Sequence, residues 1–302
     1  MKNLKLISAI LYISFIIPIN LYSKEKPYNE EVDSIANLFT QLVNCRNDDK
    51  RNDINDYLIA YFGDFLENPK SLNADFSSLK NLSTLQSDDN LLKIFTWNLQ
   101  FTDGSYKYFG FLQYNKNDLK AYFLNDKKYK PLSSEENEYF GYDYNTNTEW
   151  YGALYYELIT KKHNSTTYYT LLGWDGADFL INRKVVEVLY FNRHDMPLFG
   201  AKIFKLKKTV NPRLIFEYSE KLSMLLRYNA KHDIIVMDHL VPAEEKYRQM
   251  HQFYGPDRSY DALRFQNGKW VLESDIDPDI AINYKKDPGI EKIKKRGVSD
   301  GF

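Results

Sequence analysis

Between residues 213 and 240 the chain passes through three short segments, RLIFEYS, MLLRYN and DIIVMDHL, in which apolar and polar side chains alternate. A period of two suits a pleated strand and does not suit a helix. One parity carries Leu214, Phe216, Tyr218, Met224, Leu226, Tyr228, Ile234, Val236 and Leu240. The other carries Arg213, Glu217, Arg227 and His239, diluted by Ile215, Leu225, Ile235 and Met237. The connecting stretches, EKLS and AKH, are short and polar. The expectation is a three-stranded antiparallel meander with one apolar wall built from its even-numbered residues.

The same alternation recurs on both sides. LKIFTWNLQF places Phe95, Trp97, Leu99 and Phe101 on one face, and Asp103-Gly104 then marks a hairpin turn into YKYFGFLQY. Further strands are expected at 119–125, 150–159, 166–174, 184–191, 199–206, 260–266 and 269–273, the last two joined through Asn267-Gly268. The polar stretch 127–147 reads as a surface excursion, and the loop 241–258 as partly helical in its middle. Two amphipathic helices are expected at 30–44 and 53–67, because Val32, Ile35, Leu38, Phe39, Leu42 and Val43, then Ile54, Leu58, Tyr61, Phe62 and Phe65, fall on single faces. A short third helix is expected near 76–82.

The organisation that follows is a leader at 1–23, a helical segment at 24–86 packed on the sheet, an antiparallel β domain at 87–274 and a peripheral or disordered tail at 275–302. The fold class is mainly β with N-terminal helices (α+β), the antiparallel meander forming a sandwich, a curled sheet or a small propeller-like domain. Lys2 and Lys5 ahead of an apolar run at 6–17, with Ser23 closing the leader, suit a secretory signal peptide; the alternative is an uncleaved anchor. No later stretch is apolar enough to cross a bilayer. The expected location is outside the cytoplasm, in the periplasm or cell envelope.

Charge narrows the partners. A net charge of -1 over 302 residues gives no global field for nucleic acid or an anionic membrane. A single cysteine, Cys45, allows no internal disulfide and reads as a small packed residue at a helix end.

Five stretches carry a resemblance. They are Ser87-Asp88 with LKIFTWN at 92–98, YTLLGWDG at 169–176, residues 213–219, residues 235–242, and YGPD at 254–257 with SYDA at 259–262. Together they resemble a family of uncharacterised exported β-rich proteins from Bacteroidetes-type bacteria, over roughly residues 30–275. The resemblance implies export and a shared β-rich fold. It implies no activity and carries over no functional residue.

Two constellations stand out chemically. Asp238-His239 lies in the third strand, with Asp238 on the side of Ile234 and Val236, where a carboxylate must be bonded or neutral. The loop YGPDRSYD brings together Tyr254, Asp257, Arg258, Tyr260 and Asp261, with Gly255 and Pro256 fixing its backbone. The acidic stretches at 175–178 and 275–279 lack the spacing of a calcium loop, and the five histidines form no His-Glu-x-x-His pair. No nucleophile elbow, phosphate loop or dinucleotide fingerprint occurs, so no metal and no cofactor is expected. The leading expectation is a non-catalytic binding or scaffolding protein for an unknown protein or envelope ligand. Its rival is an exported hydrolase using a carboxylate/His site near Asp238 and the 254–261 loop.

Overall fold

The structure, a computed structural model, describes residues 29–125 and 150–282. The leader, most of the tail and the polar excursion at 127–147 lie outside these residues. Mainly β architecture with helices at the front is what the described chain adopts.

Helices α1 (Asn29–Asn44) and α2 (Asp48–Glu67) come first. The Asn47 side chain caps α2 by accepting the Lys50 N–H at 2.9 Å, while Asp48 and Asp49 sit favourably at the positive helix end. A 3-10 turn at Pro69–Asn73 follows, and residues 76–82 form turns instead of the expected third helix. Strand β1 (Ser83–Gln86) follows, at the end of the 24–86 segment expected to be helical.

The first sheet runs in the order β1, β2 (Leu92–Gln100), β3 (Tyr106–Asn115), β4 (Leu119–Asn125). The second contains β5 (Leu154–His163), β6 (Thr166–Asp175) and β7 (Ile181–Phe191), with β11 (Arg213–Ser219) on its far edge and the short β8 (Pro197–Phe199) also pairing with β7. The third has the order β10 (Val210–Asn211), β9 (Phe204–Lys205), β15 (Lys269–Glu273), β14 (Tyr254–Gln266), β13 (Ile234–Pro242), β12 (Leu226–Asn229). Among the described strands, every pairing is antiparallel except β9 with β15.

Side-chain parity stacks these sheets. Phe95, Trp97, Leu99, Phe109 and Phe111 face the helices and bury Ile35, Leu38, Phe62 and Phe65. The opposite face of the first sheet, through Ile94, Tyr108 and Leu112, packs on Tyr155, Leu171, Val185 and Ile215 of the second. The second sheet's other face, through Leu172, Val186, Leu214 and Phe216, packs on Ile235, Met237, Leu263 and Trp270 of the third. Helix α3 (Pro278–Ile282) covers the third sheet's outer face, where Ile234, Val236, Ala262 and Ala281 are buried together. The start of the stretch expected to be a peripheral or disordered tail docks on that outer face, with Ala281 fully buried and the Ile280 carbonyl accepting from Asn229 Nδ2 at 3.0 Å.

The expected single meander is divided. Strand β11 pairs with β7, whereas β12 and β13 belong to the third sheet. The intervening residues 220–225 cross between layers that lie about 10 Å apart, the usual spacing of stacked sheets. The apolar wall is real for Leu214, Phe216, Tyr218, Met224 and Leu226, which share one core, but Ile235 and Met237 complete it in place of Ile234 and Val236. The register explains the switch: Leu226 opposes Met237 and Arg227 opposes Val236, and directly opposed side chains share a face. The turn before β13, with Asp233 at a φ of 55°, therefore exchanges odd for even. At the far hairpin, Asn267 and Gly268 adopt φ of 49° and 77°, the left-handed pair that an Asn-Gly turn supplies.

Candidate functional site

The 254–261 stretch is strand rather than loop, and it pairs with β13 around an irregularity. Asp238 opposes Tyr260 and Leu240 opposes Pro256, so Asp257, Arg258 and Ser259 bulge out across from His239. Arg258 takes a φ of 77° at the crest and is exposed, as is Asp257. Asp257 Oδ1 accepts the Ser259 N–H at 2.9 Å and the Ser259 hydroxyl at 2.7 Å, which closes the bulge on itself. Tyr254 stacks on His251 with ring centroids 4.8 Å apart, and its hydroxyl accepts the Gln249 N–H at 3.1 Å.

The sequence-predicted residues therefore gather along one hairpin, but not in one cleft. Asp238 follows the parity of Val236 and lies with Tyr260 on the outer face, 8% exposed. Its Oδ2 accepts the Leu225 N–H at 2.6 Å and its own N–H donates to the Leu225 carbonyl at 3.0 Å, which extends the β12–β13 ladder by a side chain. Asp261 opposes Met237 and faces the core between the second and third sheets, 3% exposed. One of its oxygens accepts the Asp275 N–H at 3.0 Å, and the other lies 3.0 Å from His239 Nδ1. His239 is partly exposed, so the pair resembles a base held by a buried acid.

Electrostatics separate the two exposed-side acids. Burial raises the Asp238 carboxyl, the Leu225 N–H partly opposes that, and the Asp257 charge adds to it; the net shift is upward. Burial also acts on Asp257, but Ser259 and the His239 imidazole outweigh it and hold that carboxyl below its ordinary value. For Asp238 the sign is decided by a folded value above the unfolded 3.8. Its contribution to stability is complete below that unfolded value and is lost as pH rises through the folded one. Asp238→Asn keeps an acceptor for Leu225 without the charge and should match or exceed the parent's stability at neutral pH. Asp238→Ala should cost about 1–3 kcal/mol, the penalty for orphaning a buried N–H. Urea unfolding at neutral and mildly acidic pH measures both; equal losses in the two variants would refute this role.

A second polar cluster went unnoticed in the sequence. Cross-strand registers align Leu171, Glu187 and Arg213 in one row of the second sheet and Asp175, Arg183 and Glu217 in another. Glu187 and Arg213 form an ion pair with both side chains fully buried. The Tyr155 hydroxyl donates to Glu187 and accepts from Trp150 Nε1 at 2.8 Å, and the Arg213 guanidinium lies 5.5 Å from the Tyr151 ring centre. The Tyr151 hydroxyl donates to Asp175 at 2.8 Å, and Arg183 joins Asp175 at 3.2 Å to Glu217 at 2.7 Å. At the rim, His251 Nδ1 stands 3.4 Å from Glu217; burial, against Glu217 and with Arg183, keeps this imidazole below its ordinary value. Gly173 makes the arrangement fit, since a Cβ there would lie 2.8 Å from the Tyr155 ring. The sequence signals were Arg213 and Glu217 on the polar parity of RLIFEYS and a glutamate set inside the run VVEVL.

Among the described residues, no three His, Cys, Asp or Glu side chains are grouped to hold a metal ion. Asp175 and Asp178 instead accept N–H groups of their own loop. No described helix is long and apolar enough to cross a membrane.

Neither family models, curated proteins nor solved structures match this chain. What the site can do rests on its own geometry.

Proposed function

We propose that the chain is an exported, non-catalytic binding or scaffolding protein of the periplasm or cell envelope, and that the β13–β14 bulge is its contact surface. The leader at 1–23 and the resemblance to exported proteins of Bacteroidetes-type bacteria support export. The observation that carries the binding reading is the division of Asp238 and Asp261 between opposite faces of one sheet, each tied to a backbone N–H. Carboxylates used in this way hold a strand pair together and leave Arg258 and Asp257 as the presented charges. The contact would combine that exposed pair with the aromatic sides of Tyr254 and Tyr260.

The second reading is an exported hydrolase, favoured by the 3.0 Å approach of His239 Nδ1 to the buried Asp261 carboxylate. One experiment separates them. Tagged protein is crosslinked in intact cells, and the same preparations are assayed against ester, glycoside and peptide substrates. On the binding reading, Arg258→Ala with Asp257→Ser lowers capture of the wild-type partner on the order of tenfold or more, the scale of an interface hot spot. No turnover should then be found that His239→Ala removes. Turnover lost in a folded His239→Ala variant would establish the hydrolase instead.

A further inference from the structure

Three exposed apolar side chains line one end of the stack. Phe179, in the loop between β6 and β7, is 66% exposed, although its ring tip rests on Gly104 in the turn between β2 and β3, where a Cβ would clash with it. Leu180 beside it is 58% exposed, and its carbonyl accepts the Glu220 N–H at 3.0 Å. Leu222, in the same turn as Glu220, is 47% exposed and rests on Gly255 at the start of β14. The ridge therefore touches a turn of the first sheet, a loop of the second and a strand of the third. Neighbouring layers lie about 10 Å apart, so it crosses the end of the stack over about 20 Å. An apolar surface of this extent marks an interaction site.

The charges beside the ridge select its occupant. Asp103, Asp178 and Glu220 are exposed in these three turns, against the one cation Lys221. Burial, then the Glu220 and Asp175 charges, raise the Tyr106 hydroxyl, so the Glu220 carboxylate stands close to the first sheet. A second copy would set one acidic rim against another, and anionic lipid would be repelled in the same way. A basic segment with apolar side chains fits. Residues 283–302 of this chain supply one, with six basic and three acidic side chains and with Ile290 and Ile293 beside the run KKR at 294–296. The segment also starts near by. The Ala281 carbonyl accepts from Arg227, which opposes Val236, whereas Gly255 opposes Val241 further along the same strand. That stretch of strand is about 17 Å long, and the chain from 283 to 290 reaches about 25 Å when extended.

We propose that residues 283–302 dock on the ridge of Phe179, Leu180 and Leu222 of their own chain, with Ile290 and Ile293 against the apolar side chains and the basic run against the carboxylates. Docking of α3 on the third sheet already carries the chain to that sheet's edge. The ridge is then a covered surface, opened to other apolar partners when the segment is displaced. The proposal does not use Asp257 or Arg258, and its test is independent of the binding reading.

The test places p-benzoylphenylalanine at position Phe179 of the full chain. Isotope-labelled and unlabelled protein are mixed in equal amounts with phosphatidylglycerol vesicles and illuminated, and mass spectrometry identifies the crosslinked species. The expected product joins Phe179's position to 283–302 within one chain, at a yield independent of protein concentration. Lys292→Glu, Lys294→Glu and Lys295→Glu together should lower that yield about fivefold, the combined effect of three exposed charge contacts. Ile290→Ser with Ile293→Ser should lower it by a similar factor. Neither set of changes touches a described residue, so the stack itself is left intact. Crosslinks confined to other peptides, to a second copy or to lipid overturn the proposal, as does a yield that both sets of changes leave unaltered.

Discussion

Arg213→Met should destabilise the fold by about 3–5 kcal/mol, the cost of removing one partner of a buried ion pair. Glu187 would be left fully buried, with the Tyr155 hydroxyl to satisfy it and no cation beside it. The carboxyl would then favour its protonated form, so the deficit should narrow on acidification and widen as pH rises through the new folded value. The combined variant Glu187→Leu, Arg213→Met removes both charges together and keeps the Tyr155 hydroxyl as acceptor for Trp150 Nε1, and it should recover most of the loss. Denaturant midpoints for the two proteins measure this. A combined variant as unstable as the single one would mean that the row holds the fold by packing shape and not by charge. The outcome also bears on function, because an ion pair closed between two sheets orients strands and offers no cleft for chemistry.

That row shows where the sequence ran out. Periodicity located most strands, because alternation in LKIFTWNLQF or RLIFEYS reports one buried face whatever lies above it. It could not report which sheet a strand joins. Strand β11 looked continuous with β12 and β13, and only the ladder with β7 separates them. The parity of β13 is ambiguous in the sequence for a related reason: both of its faces are buried, one on the second sheet and one on α3, so Ile234 through Met237 reads as apolar in either register. Asp238 was placed on the side of Ile234 and Val236, which is right, but that side meets Ala281 and not Leu214. The hydrolase alternative groups His239 with the carboxylates of Asp238 and the 254–261 stretch but does not say which of them it meets. The meeting of His239 with Asp261 depends on a bulge that spacing does not encode.

Phe62→Ala tests whether the helices belong to the same cooperative unit as the sheets. Phe62 is fully buried, with ring centres 5.2 Å from Phe95, 5.5 Å from Phe111, 5.7 Å from Phe76 and 6.3 Å from Trp97. It therefore joins α2 to both central strands of the first sheet and to the turn before β1. Truncation at such a position should cost about 3–5 kcal/mol, combining lost burial with an unfilled cavity. The first sheet buries its second face against the second sheet, through Ile94, Tyr108 and Leu112, so loosening the helical layer leaves that sheet half covered. A half-covered sheet exposes a continuous apolar face to water, which favours unfolding of the whole stack together. The helical circular-dichroism signal and the tryptophan fluorescence should then fall at one shared, lowered denaturant midpoint. Trp97 reports the helix-facing core, while Trp150 and Trp270 report the two deeper ones. Loss of helical signal ahead of the fluorescence change would show instead that α1 and α2 form a separable cap on a self-sufficient stack of sheets.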